Sequence, residues 1–259
     1  MKKIALALLL TLIVPAALFA ADNSITVGVT PFPHKDIMGI VRELLKKDGY
    51  ELKIKEFTDY VTPNTALAEG SLDANFFQHV PYLENTNKEK KFDLVWVAKV
   101  HIEPLGLYSS RIKKLSELKN GAQIAIPNDA TNCARALRLL EKNGLIKVKA
   151  GELVTAMDIT ENPKKIKIRE IEAAQLPRTL PDVDASVINT NFAVEANLIP
   201  AKDAIVIEGK ESPYANVIAV RAADKNSPAV KALVKAANSP EVKRFIEKEL
   251  VPKGIVPSF

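Results

Sequence analysis

Residues 73–83, DANFFQHVPYL, gather three aromatic rings, Phe76, Phe77 and Tyr82, around the imidazole of His79 in a chain that is only 6% aromatic. Aromatic faces and edges suit a flexible apolar or sulfur-bearing side chain, each sulfur–ring contact being worth roughly 0.3–1.5 kcal/mol. Phe76 and Phe77 individually fit ordinary core packing, but His79 and Tyr82 carry polar tips that a purely apolar core would have to satisfy. Tyr60, upstream, completes the group.

Polar chemistry is offered by three other residues. Arg135 falls on the first turn of a predicted helix after IPNDATN. There its guanidinium and the free backbone N–H groups of the helix start can face one carboxylate. Taken alone, an arginine is more often simply exposed. Asn189 closes the apolar run DASVIN and Asn216 precedes VIAV. Amides at strand ends both donate and accept, as a zwitterionic ligand requires, and they serve equally as turn or cap residues.

Catalysis has nothing specific behind it. His34, His79 and His101 show none of the short pairings of common zinc sites, so no metal site is predicted. Cys133 lies two residues into the same helix, where a thiol pKa can be lowered. A small buried apolar cysteine is nevertheless the commoner case. P-loop, G-x-G-x-x-G and G-x-S-x-G motifs are all missing from the sequence, and neither a catalytic residue nor a cofactor is expected.

The elements that must position these residues alternate between β and α. SITVGVT (24–30) reads as a buried strand, Ile37, Ile40, Val41, Leu44 and Leu45 recur at helical spacing, and ELKIKEF (51–57) returns to period two. A short helix from Pro63 stops at Gly70, and DLVWVAKV (93–100) follows as a strand. A second unit begins with the strand AQIAIPND (122–129) and the helix TNCARALRLLEKNG (131–144), which Thr131 or Asn132 can cap. Strands at 166–171, 184–189, 204–209 and 216–221, with a helical NFAVEAN, lead to two amphipathic helices that finish the chain. This is the pattern of an α/β protein, whose ligands bind near strand ends. Two lobes are expected, with crossings near 106–110 and 212–217: residues 21–108 as the first part of lobe 1, 109–214 as lobe 2, and 215–259 as the return to lobe 1.

The first twenty residues, MKKIALALLLTLIVPAALFA, have the basic start, short apolar run and small residues of a secretory signal peptide. Without Lys2 and Lys3, 34 basic residues face 31 acidic ones, a net charge of +3. The lysines are interspersed with acids, as in RELLKKDGYELKIKE, which argues against nucleic acid as a partner. Cys133 is the sole cysteine, so an intrachain disulfide is excluded, and the junction LFAADN carries no cysteine for acylation.

GVTPFPH, FTDYVTPNTALAEGSLDANFFQHVPYL, IPNDATNCARALRLL, ENPKKIKI, AAQLPRTL, VINTNFA and ESPYANVIAVR, in this order, resemble the NlpA-type, methionine-binding subunit of bacterial ABC importers. The resemblance runs from about Ile25 through the C-terminal helices. It implies a two-lobed periplasmic binding protein fold of type II that closes on L-methionine or a close relative. By the family's motifs, Tyr60, Phe77, His79 and Tyr82 match the side-chain pocket. Arg135 matches the arginine that pairs with the ligand carboxylate, and Asn189 and Asn216 the asparagines at its polar end. The implied partners are an inner-membrane ABC permease and its ATPase, and the implied state is a periplasmic monomer that is not an enzyme. Two features depart from the family: Cys133 and Ala134 stand before Arg135 where many members carry a glycine, and the lipobox cysteine is missing. The competing readings are D-methionine or a methionine-containing dipeptide on the same fold, a surface-exposed adhesin or antigen, and an enzyme using Cys133.

Overall fold

The computed structural model describes residues 23–209 and 212–259; the predicted signal peptide, 1–20, lies outside the described residues. The chain opens with β1 (Ser24–Val29) and α1 (Asp36–Lys47), which buries Ile37, Met38, Val41 and Leu45 along one face. Gly49, at φ +81°, turns it into β2 (Glu51–Glu56), a left-handed conformation that glycine adopts at no steric cost. Then come α2 (Thr62–Ala68), β3 (Ala74–His79), α3 (Val80–Lys90) and β4 (Leu94–Ile102).

After β4 the chain crosses to a second sheet through residues 103–105. It continues with β5 (Gly106–Tyr108), β6 (Gln123–Pro127), α4 (Ala130–Lys142), β7 (Lys147–Val148), β8 (Ile159–Glu161) and β9 (Lys167–Ile171). β10 (Ala185–Ile188), α5 (Thr190–Glu195), α6 (Pro200–Asp203) and β11 (Val206–Ile207) complete this half. The chain returns as β12 (Ala215–Arg221), α7 (Pro228–Ala237), α8 (Pro240–Phe245) and β13 (Val256–Pro257).

The first sheet has the order β13-β4-β12-β3-β1-β2 and the second β11-β5-β10-β6-β9, with β7 and β8 paired separately. β1 runs parallel to β2 and β3, whereas the returning β12 inserts antiparallel between β3 and β4. Each sheet has its own core. Val27, Phe76, Ile218 and Leu233 are among the buried residues of the first, and Ile124, Leu137 and Val187 of the second. β5 pairs with β10 and β11, so residues 106–108, read from sequence as the end of the first lobe, sit in the second sheet. A Cβ at Gly106 would stand 2.8 Å from the buried Tyr108 ring, so the strand entering the second lobe has no room for a side chain there.

Candidate functional site

The aromatic stretch is divided by strand geometry. Successive residues of β3 alternate faces, so Phe76 packs into the first core, edge-on to His34 at 4.6 Å between centroids, while Phe77 lines the cleft between the lobes. His79 ends β3 and caps α3: its Nδ1 accepts the Tyr82 N–H at 3.1 Å. That bond puts the ring proton on Nε2, which donates to Asn132 Oδ1 of the other lobe at 3.2 Å. Burial is the largest influence on His79, with the Arg135 charge acting in the same direction, and its pKa falls to about 3. The imidazole is therefore neutral at physiological pH. Tyr60, Phe77 and Tyr82 form a mutual cluster with centroids 5.9–6.0 Å apart, and Phe192 stands 5.0 Å from Tyr60.

Strand register sets the first lobe's polar wall. Asn216 on β12 lies opposite His79 of β3 on one side and His101 of β4 on the other. The second lobe contributes the starts of two helices. α4 is capped by Asp129, whose carboxylate accepts the Asn132 N–H at 2.9 Å, and not by Thr131 or Asn132 as the sequence suggested. Asn132 and Arg135 follow three residues apart on one face. β10 ends in Asn189, followed by Thr190 and Asn191 at the start of α5.

The resulting cleft is lined by Tyr60, Phe77, His79, Tyr82, Arg135, Asn189 and Asn216, together with Gln78, Glu103, Leu105, Asn132, Thr190 and Asn191. Only about 20 Å³ of cavity remains between these side chains. The lobes are closed on one another. Besides the His79–Asn132 bond, the Tyr60 hydroxyl donates to Asn191 Oδ1 at 2.5 Å. Two buried atoms of the wall, Asn189 Oδ1 and Asn191 Nδ2, have no hydrogen-bond partner. One is an acceptor and the other a donor, the pair that an ammonium and a carboxylate would satisfy.

Arg135 is buried, not a surface residue, and its guanidinium is already engaged. Nε donates to both Glu208 oxygens at 3.0 and 3.2 Å, Nη2 also pairs with Glu208, and Nη2 donates to the Glu103 carbonyl at 2.8 Å. Tyr214 stacks beneath it, 4.0 Å from Cζ to the ring centroid. The guanidinium plane is therefore fixed, and none of these bonds uses Nη1.

Two histidines that sequence spacing left apart meet behind the cleft. His34, His101 and Glu103 bring ligand-type atoms within 4.8 Å of one another. Direct hydrogen bonding already joins them: His101 Nε2 donates to Glu103 Oε1 at 2.7 Å, and a cation would have to displace that contact. Cys133 packs in the second core, and burial pushes its thiol up to about 12, far from a reactive thiolate at neutral pH.

Glu103, Gln78, Asn132, Thr190 and Asn191 were not singled out from sequence. Asn132 and Asn191 sit three and two residues from chosen positions, and helical spacing after a strand end was the signal available for them. Glu103 stands two residues from His101, which it bonds, but its partners Asn191 and Arg135 are 88 and 32 residues away, and no local pattern marks it.

Two α/β lobes around an occluded cleft, aromatic at one end and rich in amides and charge at the other, define a two-lobed periplasmic solute-binding protein. The NlpA lipoprotein family model matches residues 25–259, and the chain belongs to that family. It is 49% identical over 223 residues to outer membrane lipoprotein 3 of Mannheimia haemolytica, covering 85% of each chain. It is 47% identical over 225 residues to the D-methionine-binding lipoprotein MetQ of Salmonella typhimurium, covering 85% of this chain and 83% of that one. Among solved structures, a nutrient-binding protein from Burkholderia cenocepacia bound to methionine superposes with a TM-score of 0.88 at 51% identity, covering 91% of this chain and all of that one. Among the described residues no helix is long and apolar enough to cross a membrane.

Proposed function

We propose that the protein is the solute-binding component of an ABC importer, that it closes on L-methionine in the periplasm and that the closed form delivers the ligand to a membrane permease and its ATPase. The observation that carries this reading is the two-ended cleft: Tyr60, Phe77 and Tyr82 form an aromatic cage at one end, and the buried Arg135, Asn189 and Asn216 line its polar end. A thioether suits the first and an α-amino acid head group the second. In this reading Arg135, fixed by Glu208 and Tyr214, pairs with the ligand carboxylate, Asn189 and Asn216 hold the rest of the head group, and His79 orients Asn132 across the cleft. The methionine named for the Burkholderia structure and the D-methionine named for the Salmonella relative point to the same ligand class.

Binding supplies the differential affinity that favours the closed form over the open one. The test is calorimetric titration of protein unfolded and refolded to strip any ligand, using L-methionine, D-methionine, glycyl-methionine and leucine. Tight binding of L-methionine with much weaker binding of leucine is the expected result. Binding of D-methionine or of the dipeptide in its place would move the specificity, and no binding to any of the four would overturn the reading.

A further inference from the structure

Most lysines of the chain alternate with acids, but two segments do not. Residues 111–119 and 164–167 together carry seven basic side chains and one acid, Glu117, a net charge of +6 that is twice the +3 of the chain without Lys2 and Lys3. The fold brings these segments together. The Gly121 N–H donates to the Lys164 carbonyl at 2.7 Å, Lys164 Nζ to the Leu118 carbonyl at 2.6 Å, and the Lys167 N–H to the Ala122 carbonyl at 2.8 Å. Asn162 closes the second segment into a fixed turn, its side chain accepting the Ile166 N–H at 2.7 Å and donating to the Ile166 carbonyl at 2.9 Å. Lys113, Lys114, Lys119, Lys165 and Lys167 are exposed, and among the described residues none of them forms an ion pair. The nearby acids are already used: Glu117 Oε2 accepts the Lys113 N–H at 2.9 Å, and Asp184 accepts the Gln123 N–H at 2.8 Å and stands 3.6 Å from Arg111.

Their place in the second lobe separates them from the cleft. β6 and β9 run parallel, with Gln123 opposite Lys167 at one end and Pro127 opposite Ile171 at the other. The cleft residues Asn132 and Arg135 follow the end of β6 and the lysines flank its start, so a strand's length, roughly 15 Å at about 3.3 Å per residue, lies between them. Six of the seven basic residues are lysines, flexible point charges that suit a diffuse layer of phosphates better than the bidentate grip an arginine gives a single anion. Leu118 and Ile166, from the same two segments, are buried in the second core, which leaves the pole attraction without insertion. The signal-peptide pattern of residues 1–20 sends the chain across a membrane, so phospholipid headgroups, and not nucleic acid, are the phosphates it meets.

We propose that this basic pole of the second lobe docks the protein on a membrane surface rich in anionic phospholipid, with the cleft held away from that surface. The inference goes beyond the solute-binding reading and does not depend on which solute the cleft takes. Each lysine brought within a Debye length of such a surface raises partitioning about five-fold. Without an inserted apolar side chain the attraction is electrostatic, and it fades as salt screens it.

The experiment is vesicle co-sedimentation of the protein without its signal peptide, using phosphatidylcholine vesicles with and without about 30% phosphatidylglycerol, at roughly 50 and 300 mM NaCl. A Lys114→Glu, Lys119→Glu, Lys165→Glu variant is compared with a control of equal net charge, Lys46→Glu, Lys53→Glu, Lys243→Glu, which changes three exposed lysines of the first lobe. Wild type and control are expected to sediment with the anionic vesicles at low salt and to stay in solution with phosphatidylcholine alone. Their affinity falls at least about 5-fold at the higher salt, and the variant of the pole binds at least about 25-fold more weakly than the control. Wild type that ignores the anionic vesicles at low salt overturns the proposal without any variant, as does binding that phosphatidylcholine alone supports equally or that salt leaves unchanged. Equal weakening in the two triple variants would place the attraction in the net charge and overturn it too. So would wild type that leaves the vesicles but retains a DNA oligonucleotide, since nucleic acid would then be the partner.

Discussion

At the scale of single residues, the site depends on side chains that other protein groups hold in place. Arg135 is the clearest case, because its fork is shared between Glu208 and the Glu103 carbonyl while Tyr214 supports its face. Arg135→Lys keeps the charge but cannot make both sets of bonds at once, since lysine presents a point charge on a flexible stem. It is expected to weaken L-methionine binding about 10-fold or more by calorimetry, and Arg135→Ala to weaken it further. A lysine variant of unchanged affinity would mean that charge alone suffices. All seven positions that the family resemblance implied line the cleft; residue types alone pointed to Arg135, Asn189, Asn216, Tyr60 and the 73–83 cluster, of which Phe76 packs into the first core instead. What stayed hidden were groups defined by pairing. That Arg135 is buried opposite Glu208, or that Glu103 meets Asn191, depends on contacts such as the 73-residue separation of the arginine and its carboxylate and the 88-residue separation of Asn191 and Glu103. No local spacing encodes these.

At the scale of elements, each functional side chain is aimed by the end of a strand or the first turn of a helix. The start of α4 does most for the second lobe. Asp129 accepts the Asn132 backbone N–H and both Asn132 Nδ2 contacts, and it also takes the Thr131 hydroxyl at 3.0 Å. Asp129→Ala removes the cap, and such losses cost about 1 kcal/mol of stability. The side chain that faces His79 is freed as well. Urea unfolding is expected to show that modest destabilisation, and calorimetry a weaker ligand affinity; a variant of normal affinity would separate capping from positioning. Elements with strong periodicity, such as β1, α1 and α4, were readable in the sequence. β3 was not, because ANFFQH is buried at every position and carries Asn75 and Gln78 inward, where they bond each other and Asn64, so no alternation marks it. α3 was missed for the opposite reason: it buries only Leu83 and is otherwise polar.

At the scale of the whole molecule, closure and stability depend on polar groups kept dry between and behind the lobes. The Tyr60 hydroxyl reaches Asn191 across the cleft, so Tyr60→Phe removes a bond made by the closed form. It is expected to weaken ligand affinity about 5-fold, the worth of one ordinary hydrogen bond, with little effect on the thermal midpoint of the ligand-free protein. The histidines set a second property. His34, His79 and His101 are buried and neutral, with pKa values near 4, 3 and 3, against 6.5 for an unfolded histidine. As the pH falls through 6.5 the unfolded chain takes up protons that the folded chain refuses, so each group favours unfolding by up to about 1.4 kcal/mol per pH unit until its folded pKa is reached. Burial raises the carboxyls of Glu103, Asp36 and Glu195, which work in the opposite sense because there the folded state holds the proton. Glu141 and Asp158, held below the usual carboxylate range by hydrogen bonds, lose their contribution only below the window of interest. The three histidines, shifted to about 4, 3 and 3, all act in one sense throughout the range between pH 7 and pH 5. The free energy of unfolding in urea is therefore expected to fall as the pH is lowered, and His101→Gln, which changes a group outside the cleft, to reduce that slope by close to one proton. A slope that H101Q leaves untouched would mean that His101 takes up its proton in the folded protein as readily as in the unfolded chain, and that the triad behind the cleft is not kept dry.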